Sequence, residues 1–322
     1  MMSQAIKNFV KQFSYCPEIK NSRKLKKAKS FIVIGMGGSH LAADIIKDVK
    51  PELDLTIHSD YGLPKLPLEK LKQSLIILSS YSGNTEEVIN GFKKALGKKL
   101  SVISIAMGGK LIKLSCQHSV PYIQLPDTGI QPRSALGFSF RALTKAIGEG
   151  KLLKESDLLI SILRPRELET TGKQLAKRLR GYVPIIYTSS RNISIAYNWK
   201  IKFNETGKIP AFYNVVPELN HNEMSGFDII PKTRLLSRQF YFILLRDQED
   251  NFRVIKRMQV LSRLYQQRGL KVETLNLTGR SRLQKIFTSL LIADWTAFHA
   301  ARHYGAEPDQ VSMAEEFKKI IS

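Results

Sequence analysis

The chain has 322 residues, 43% hydrophobic and 24% charged. These are the proportions of a globular protein, with enough length for one large core or two ordinary ones. Two cysteines, Cys16 and Cys116, exclude a disulfide scaffold and a cysteine metal quartet. No apolar run reaches the length of a membrane span and Met1-Met2-Ser3-Gln4 opens no signal pattern, so the chain reads as soluble and cytoplasmic. The net charge of +22 raises the question of nucleic acid. Outside the run Lys20 to Lys27 the basic residues are dispersed, and no zinc-finger spacing or RNA-binding module accompanies them. The excess reads as a solvated surface.

In chain order, Ser30 to Ile34 is a short β-type run ending at Gly35-Met36-Gly37-Gly38-Ser39, with a helix from Ser39 to Lys47. Gly35 and Gly37 resemble the start of a dinucleotide fingerprint. However, His40 stands where the third glycine belongs, and no Gly-Lys-Ser/Thr makes a P-loop. The turn fits a close backbone approach to a smaller ligand, with Ser39 donating a hydrogen bond; a plain tight turn is the alternative.

Leu55 to His58 is a further strand, and Ser74 to Leu78 reads as a buried parallel one. It runs into Ser79-Ser80-Tyr81-Ser82-Gly83-Asn84 and the amphipathic helix Thr85 to Leu96, whose first turn is acidic. A strand-to-helix turn of hydroxyls, a glycine and an amide presents helix-start N–H groups and O–H donors to a dianion. It is a phosphate cup. Leu100 to Ile105 is another strand, closing at Gly108-Gly109. Strands alternating with helices predict a doubly wound α/β domain with ligands at the carboxyl ends of its strands.

The charged, helix-prone stretch Lys151 to Lys177 joins this half to a second one. There Val183 to Tyr187, Gln239 to Leu245 and Val272 to Leu277 read as strands, with helices from about Asn192 and from Ser281 to Arg302. Ile34 to Ser39 set beside Ile186 to Ser190 gives an offset of roughly 152 residues, the mark of a duplicated unit. The expected domains are 1–150, carrying the phosphate loops, and 151–322, with a C-terminal helix.

Gly37-Gly38-Ser39 followed by Ser80-Tyr81-Ser82-Gly83-Asn84-Thr85 resembles the sugar isomerase (SIS) domain, which binds phosphosugars. Three further motifs occur in order: Pro132 to Gly137, Phe203 to Lys208, and Pro217 to Glu223. Together they resemble the bifunctional phosphoglucose/phosphomannose isomerase family over about residues 25–322. The resemblance implies two tandem doubly wound SIS-type domains with parallel sheets flanked by helices. It implies a metal-independent, cofactor-free aldose–ketose isomerase interconverting glucose 6-phosphate and fructose 6-phosphate, with mannose 6-phosphate left open as a further substrate, and a homodimer with its active site near the interface. Gly38, Ser39, Ser80, Ser82 and Thr85 would then hold the substrate.

Such a reaction needs a carboxylate base, a cation beside the enediolate and a group that opens the ring. The resemblance gives the base to Glu205, near the end of the helix begun at Asn192. That helix end is an awkward place for a carboxylate on dipole grounds; a solvent-facing glutamate is the alternative. It gives ring opening to His221, whose imidazole can both give and accept a proton, and the cation to Arg133, against a surface salt bridge. Lys318 matches the family's final-helix lysine in a register open by one residue, with Lys319 beside it and a solvated lysine as the alternative. A threonine linked in some relatives to the mannose epimer has no counterpart, since Val311-Ser312 stands there. His299 and His303 lie four apart on a helix, but no carboxylate motif completes a metal site. The competing reading is a non-catalytic phosphosugar sensor. A third is a related isomerase for an amino sugar or pentose.

Overall fold

A computed structural model describes residues 1–321. The chain divides into two compact units, one of residues 8–162, the other of 1–7 and 163–321.

The first unit is built on β1 (Ile19–Lys20), β2 (Ser30–Ile34), β3 (Asp54–His58), β4 (Ser74–Ser79), β5 (Ser101–Ala106) and β6 (Tyr122–Gln124). Their order in the sheet is β1-β6-β5-β4-β2-β3. All neighbours run parallel except β1, which pairs antiparallel with β6. Every residue of β2 and β4 is buried, which is why they read as unbroken apolar runs: crossover helices cover both faces of a parallel sheet. The helix Glu86–Gly97 buries Val88, Ile89, Phe92 and Ala95 along one face, against Ile34 and Leu78 among others. Cutting Phe92 to alanine there would cost about 3–5 kcal/mol. The chain leaves β2 for β3 on one side and then crosses to β4 on the other. The gap between the ends of β2 and β4 is therefore the switch point where an open α/β sheet binds ligands.

The second unit repeats the plan with β7 (Val183–Ser189), β8 (Phe212–Val216), β9 (Phe240–Arg246) and β10 (Lys271–Asn276). The order is β10-β9-β7-β8, all parallel, so β7 corresponds to β2, β8 to β3, β9 to β4 and β10 to β5. The helix Arg282–His303 forms the core of this unit, with Trp295 fully buried. It lies so close to the helix Leu168–Arg178 that a Cβ on Gly172 would fall 2.4 Å from that of Trp295. The joining stretch is not one helix but three, Gly150–Asp157, Leu159–Ile162 and Leu168–Arg178. Pro165 accounts for the last break, since its ring and missing N–H stop a helix running through it. No helix among the described residues is long and apolar enough to cross a membrane.

Candidate functional site

The expected phosphate cup occupies the switch point of the first unit. Its loop is held by its own hydrogen bonds. Ser80 is fully buried and its Oγ accepts the N–H groups of Gly83 (3.0 Å) and Thr85 (3.4 Å), while lying 2.8 Å from Thr85 Oγ1. With both lone pairs engaged, the Ser80 hydroxyl is the donor to Thr85, which leaves the Thr85 O–H to donate outward. Ser39 Oγ accepts the Tyr81 N–H (3.0 Å), and the Ser79 hydroxyl donates to the Ser39 carbonyl (2.7 Å), so the β2 and β4 turns are tied together. Ser82 is exposed and its Oγ accepts only the Asn84 N–H (3.2 Å) among its described bonds. Thr85 stands at the N-cap of Glu86–Gly97 without capping it through its side chain. No cap side chain thus takes the helix-start N–H groups, and the positive end of the helix faces the loop.

Gly83 sits at φ 74°, and a Cβ there would lie 1.8 Å from the Gly108 carbonyl oxygen. Only glycine fits. Asn84, named in the motif without a role, accepts the Lys110 N–H through Oδ1 (2.9 Å) and joins the cup to the β5 turn.

Arg133 lies in the 3₁₀ turn Pro132–Ser134 and is 1% exposed, against the expectation for a surface ion pair. A Cβ on Gly38 would meet Pro132 Cβ at 3.0 Å and Arg133 N at 3.2 Å. The bare backbone of Gly38 is what lets this turn pack beside the cup. Gln12, which sequence reasoning missed, fixes the same turn. Its Nε2 donates to the Ser134 carbonyl (2.6 Å) and its Oε1 accepts the Gly137 N–H (2.9 Å). Gly38, Ser39, Ser80, Ser82, Thr85 and Arg133 are therefore brought together within one unit.

In the second unit the helix Ile193–Lys202 runs into a π-helical turn, Phe203–Gly207, which carries Glu205 half-buried. Such wide turns are frequent at functional positions. Trp199 Nε1 donates to Ser289 Oγ (3.0 Å), and Lys202 Nζ to Asp294 Oδ1 (2.5 Å), both pairs buried. They moor the turn to Arg282–His303. Lys208, left-handed at φ 56°, closes it and donates to the carbonyls of Glu205 and Gln310.

His221 is the exposed last residue of the 3₁₀ turn Glu218–His221. Its loop is held through Glu223, another residue given no role from sequence. The two carboxylate oxygens of Glu223 accept from the Tyr187 hydroxyl and from Asn214 Nδ2, on β7 and β8. Burial first, then the neighbouring Tyr265, drives the Tyr187 pKa far above its ordinary value, so it remains a donor. Lys318 lies on the helix Ser312–Ile321, which buries no residue, and pairs with Glu315 at 2.8 Å. Both side chains are largely exposed, and such a pair contributes little. Met313, Phe317, Ile320 and Ile321 share one apolar face of this helix, and all are exposed. No group of three or more His, Cys, Asp or Glu among the described residues could hold a metal ion.

A family profile described as the bacterial phospho-glucose isomerase C-terminal SIS domain matches residues 168–321. The bifunctional phosphoglucose/phosphomannose isomerase of Caldicellulosiruptor bescii is 31% identical, covering 100% of this chain and 99% of its own. That of Aquifex aeolicus is 29% identical over 99% and 97%. The structure of tagatose-6-phosphate ketose/aldose isomerase from Escherichia coli superposes with a TM-score of 0.69 at 14% identity, over 96% of this chain and 94% of that one. The last shows the fold alone.

Proposed function

We propose that this chain, which belongs to the bifunctional phosphoglucose/phosphomannose isomerase family, interconverts glucose 6-phosphate and fructose 6-phosphate through a cis-enediolate. The observation that carries the reading is the pre-built cup at the β2/β4 switch point, with the Thr85 hydroxyl and a helix start turned outward. The phosphate is held by Ser82, Thr85 and the N–H groups that open Glu86–Gly97, on a loop shaped by Gly38, Ser39 and Ser80.

The chemistry falls several bonds from the phosphate. His221 protonates the ring oxygen and takes the proton of the anomeric hydroxyl, which opens the pyranose to its aldehyde. Glu205 takes the C2 proton; that electron pair becomes the C1–C2 double bond, and the carbonyl oxygen becomes the enediolate. The Arg133 guanidinium offsets its charge without moving a proton. Glu205 returns the proton at C1 as the O2 hydroxyl gives its proton to O1 and the carbonyl forms at C2, and Lys318 holds the sugar hydroxyls. Mannose 6-phosphate differs only at C2 and would reach the same enediolate. The absent threonine at Val311-Ser312 makes the mannose rate the variable part of the reading. A homodimer completes it: the apolar face of Ser312–Ile321 is what a second copy would cover, near the reacting end.

The isomerase names of the full-length relatives favour catalysis over a sensor. The test is a coupled assay with fructose 6-phosphate, measuring glucose 6-phosphate and mannose 6-phosphate separately. Tight binding with no product would sink the enzyme reading. Full turnover by Glu205→Gln would sink the base assignment.

A further inference from the structure

The second unit has the same strand-end frame as the first, filled with different chemistry. The loop after β9, at the position of the cup after β4, reads Asp247-Gln248-Glu249-Asp250-Asn251. Asp247 is completely buried and meets three cations: Lys285 at 2.8 Å, Arg282 at 3.1 Å and Arg191 at 3.3 Å. Glu249 meets Lys285 at 2.6 Å and Arg191 at 2.8 Å. Asp250 accepts the Ser189 hydroxyl (2.7 Å) and Asn192 Nδ2 (3.2 Å). Arg191 and Asn192 belong to the turn after β7, the counterpart of Gly37–Ser39. Arg282 and Lys285 open the helix after β10, the counterpart of Gly109–Gln117 after β5.

Two arginines and a lysine converging on the carboxyl ends of parallel strands are donors that can bind a phosphate dianion. Here the oxygens of Asp247 and Glu249 take those donors. The helix start is closed as well: Asn251 Oδ1 caps Phe252–Gln267 by accepting the Arg253 N–H (2.8 Å), whereas Thr85 leaves its helix uncapped by a side chain. All three cations are taken up by two carboxylates: Asp247 pairs with Arg191, Arg282 and Lys285, and Glu249 pairs again with Arg191 and Lys285. An entering dianion would have to displace a buried, paired charge. Hydrogen bonds from Arg191 and then Lys285 hold the Glu249 carboxyl down at about 2, so it stays charged in this role.

We propose that the second frame is a dianion site occupied by the chain's own carboxylates, so that only the first frame remains open to phosphate. The count of one open site rests on the proposed function; the sealing of the second does not.

The probe is inorganic phosphate, titrated by calorimetry into the full chain, into Asp247→Asn/Glu249→Gln, and into the milder Glu249→Gln. The double variant should bind one phosphate per chain more than the parent. Its Tm in chloride buffer should fall by about 5–10 °C, because the buried Lys285 and the partly buried Arg282 lose their carboxylates, and added phosphate should recover the loss. Glu249→Gln should show the same extra site at lower affinity. No extra phosphate in either folded variant overturns the proposal, as does a lowered Tm that phosphate leaves unchanged. If the double variant does not fold even in phosphate, Glu249→Gln decides. A parent that binds no phosphate, with variants that bind one, would instead sink the reading of the first frame and leave this one standing.

Discussion

The loop Ser80–Thr85 and the elements that carry His221 and Lys318 are assigned to one substrate yet built on opposite plans. The loop is cross-linked: Ser80 Oγ makes three contacts within it, to Gly83 and Thr85; Ser39 and Ser79 tie it to the β2 turn, and Asn84 ties it to the β5 turn. His221 sits on an exposed turn held through Glu223, and Lys318 on a helix with no buried residue. Glu205 falls between, half-buried on a turn moored by buried pairs. The difference teaches a division of labour. A phosphate that does not react can be met by a rigid site whose ordering entropy is already spent. On the proposed roles, groups that open a ring must admit and release it, and their ordering would draw on the binding energy of the unreacting phosphate.

Substitutions can break this comparison at graded strengths. The largest effect belongs to Glu205→Gln, with kcat reduced by about 10³-fold, as for loss of a general base. Its KM for fructose 6-phosphate should stay near the parent's. A raised KM with normal kcat in steady-state assays would move Glu205 from the reacting end to the holding end. Next is Gly83→Ala, which drives a methyl into the Gly108 carbonyl at a left-handed φ. The strained loop should lose about 10²-fold in kcat/KM, equivalent to about 2–3 kcal/mol, while circular dichroism shows an intact fold. Thr85→Ala removes one outward hydroxyl and should raise KM about 10-fold with kcat unchanged, the cost of a hydrogen bond to a charged group. Thr85→Ser should restore it; failure to do so would make Thr85 a packing residue. Smallest is the pair Lys318→Ala and Lys319→Ala. The first should lower kcat/KM about 3-fold and the second leave it unchanged, the size of a mobile, solvent-screened contact. Equal effects would shift the register of the last helix.

What sequence could carry depended on how local the signal was. β2, β4 and β5 were legible because burial on both faces writes an unbroken apolar run. Tyr122–Gln124 and Phe212–Val216 were not. The first is three residues long, and the second is closed in by Pro210 and Pro217 with Asn214 in its middle. The cup was legible because a strand-to-helix turn concentrates its donors in six consecutive residues. Gln12 was invisible: its partners, Ser134 and Gly137, lie more than a hundred positions away, and an isolated glutamine has no pattern. Glu223 was quoted inside a motif, but its bonds to Tyr187 and Asn214 exist only once β7 and β8 pair. The placement of Glu205 near a helix end could be read; the π-helical widening of that end could not, because it answers to packing against Arg282–His303.

Lys208 ties the carbonyls of Glu205 and Gln310 to one ammonium. The last helix therefore departs from a point fastened beside the proposed base. From Gln310 to Lys318 is eight positions, about 12 Å of helix at 1.5 Å per residue. However freely that helix swings, its lysine explores a small sphere centred near Glu205 and so keeps an effective local concentration in the millimolar range or above. A side chain that looks stranded in solvent is thereby a leashed one. The length of the leash, rather than any fixed contact, would set how often it reaches the sugar.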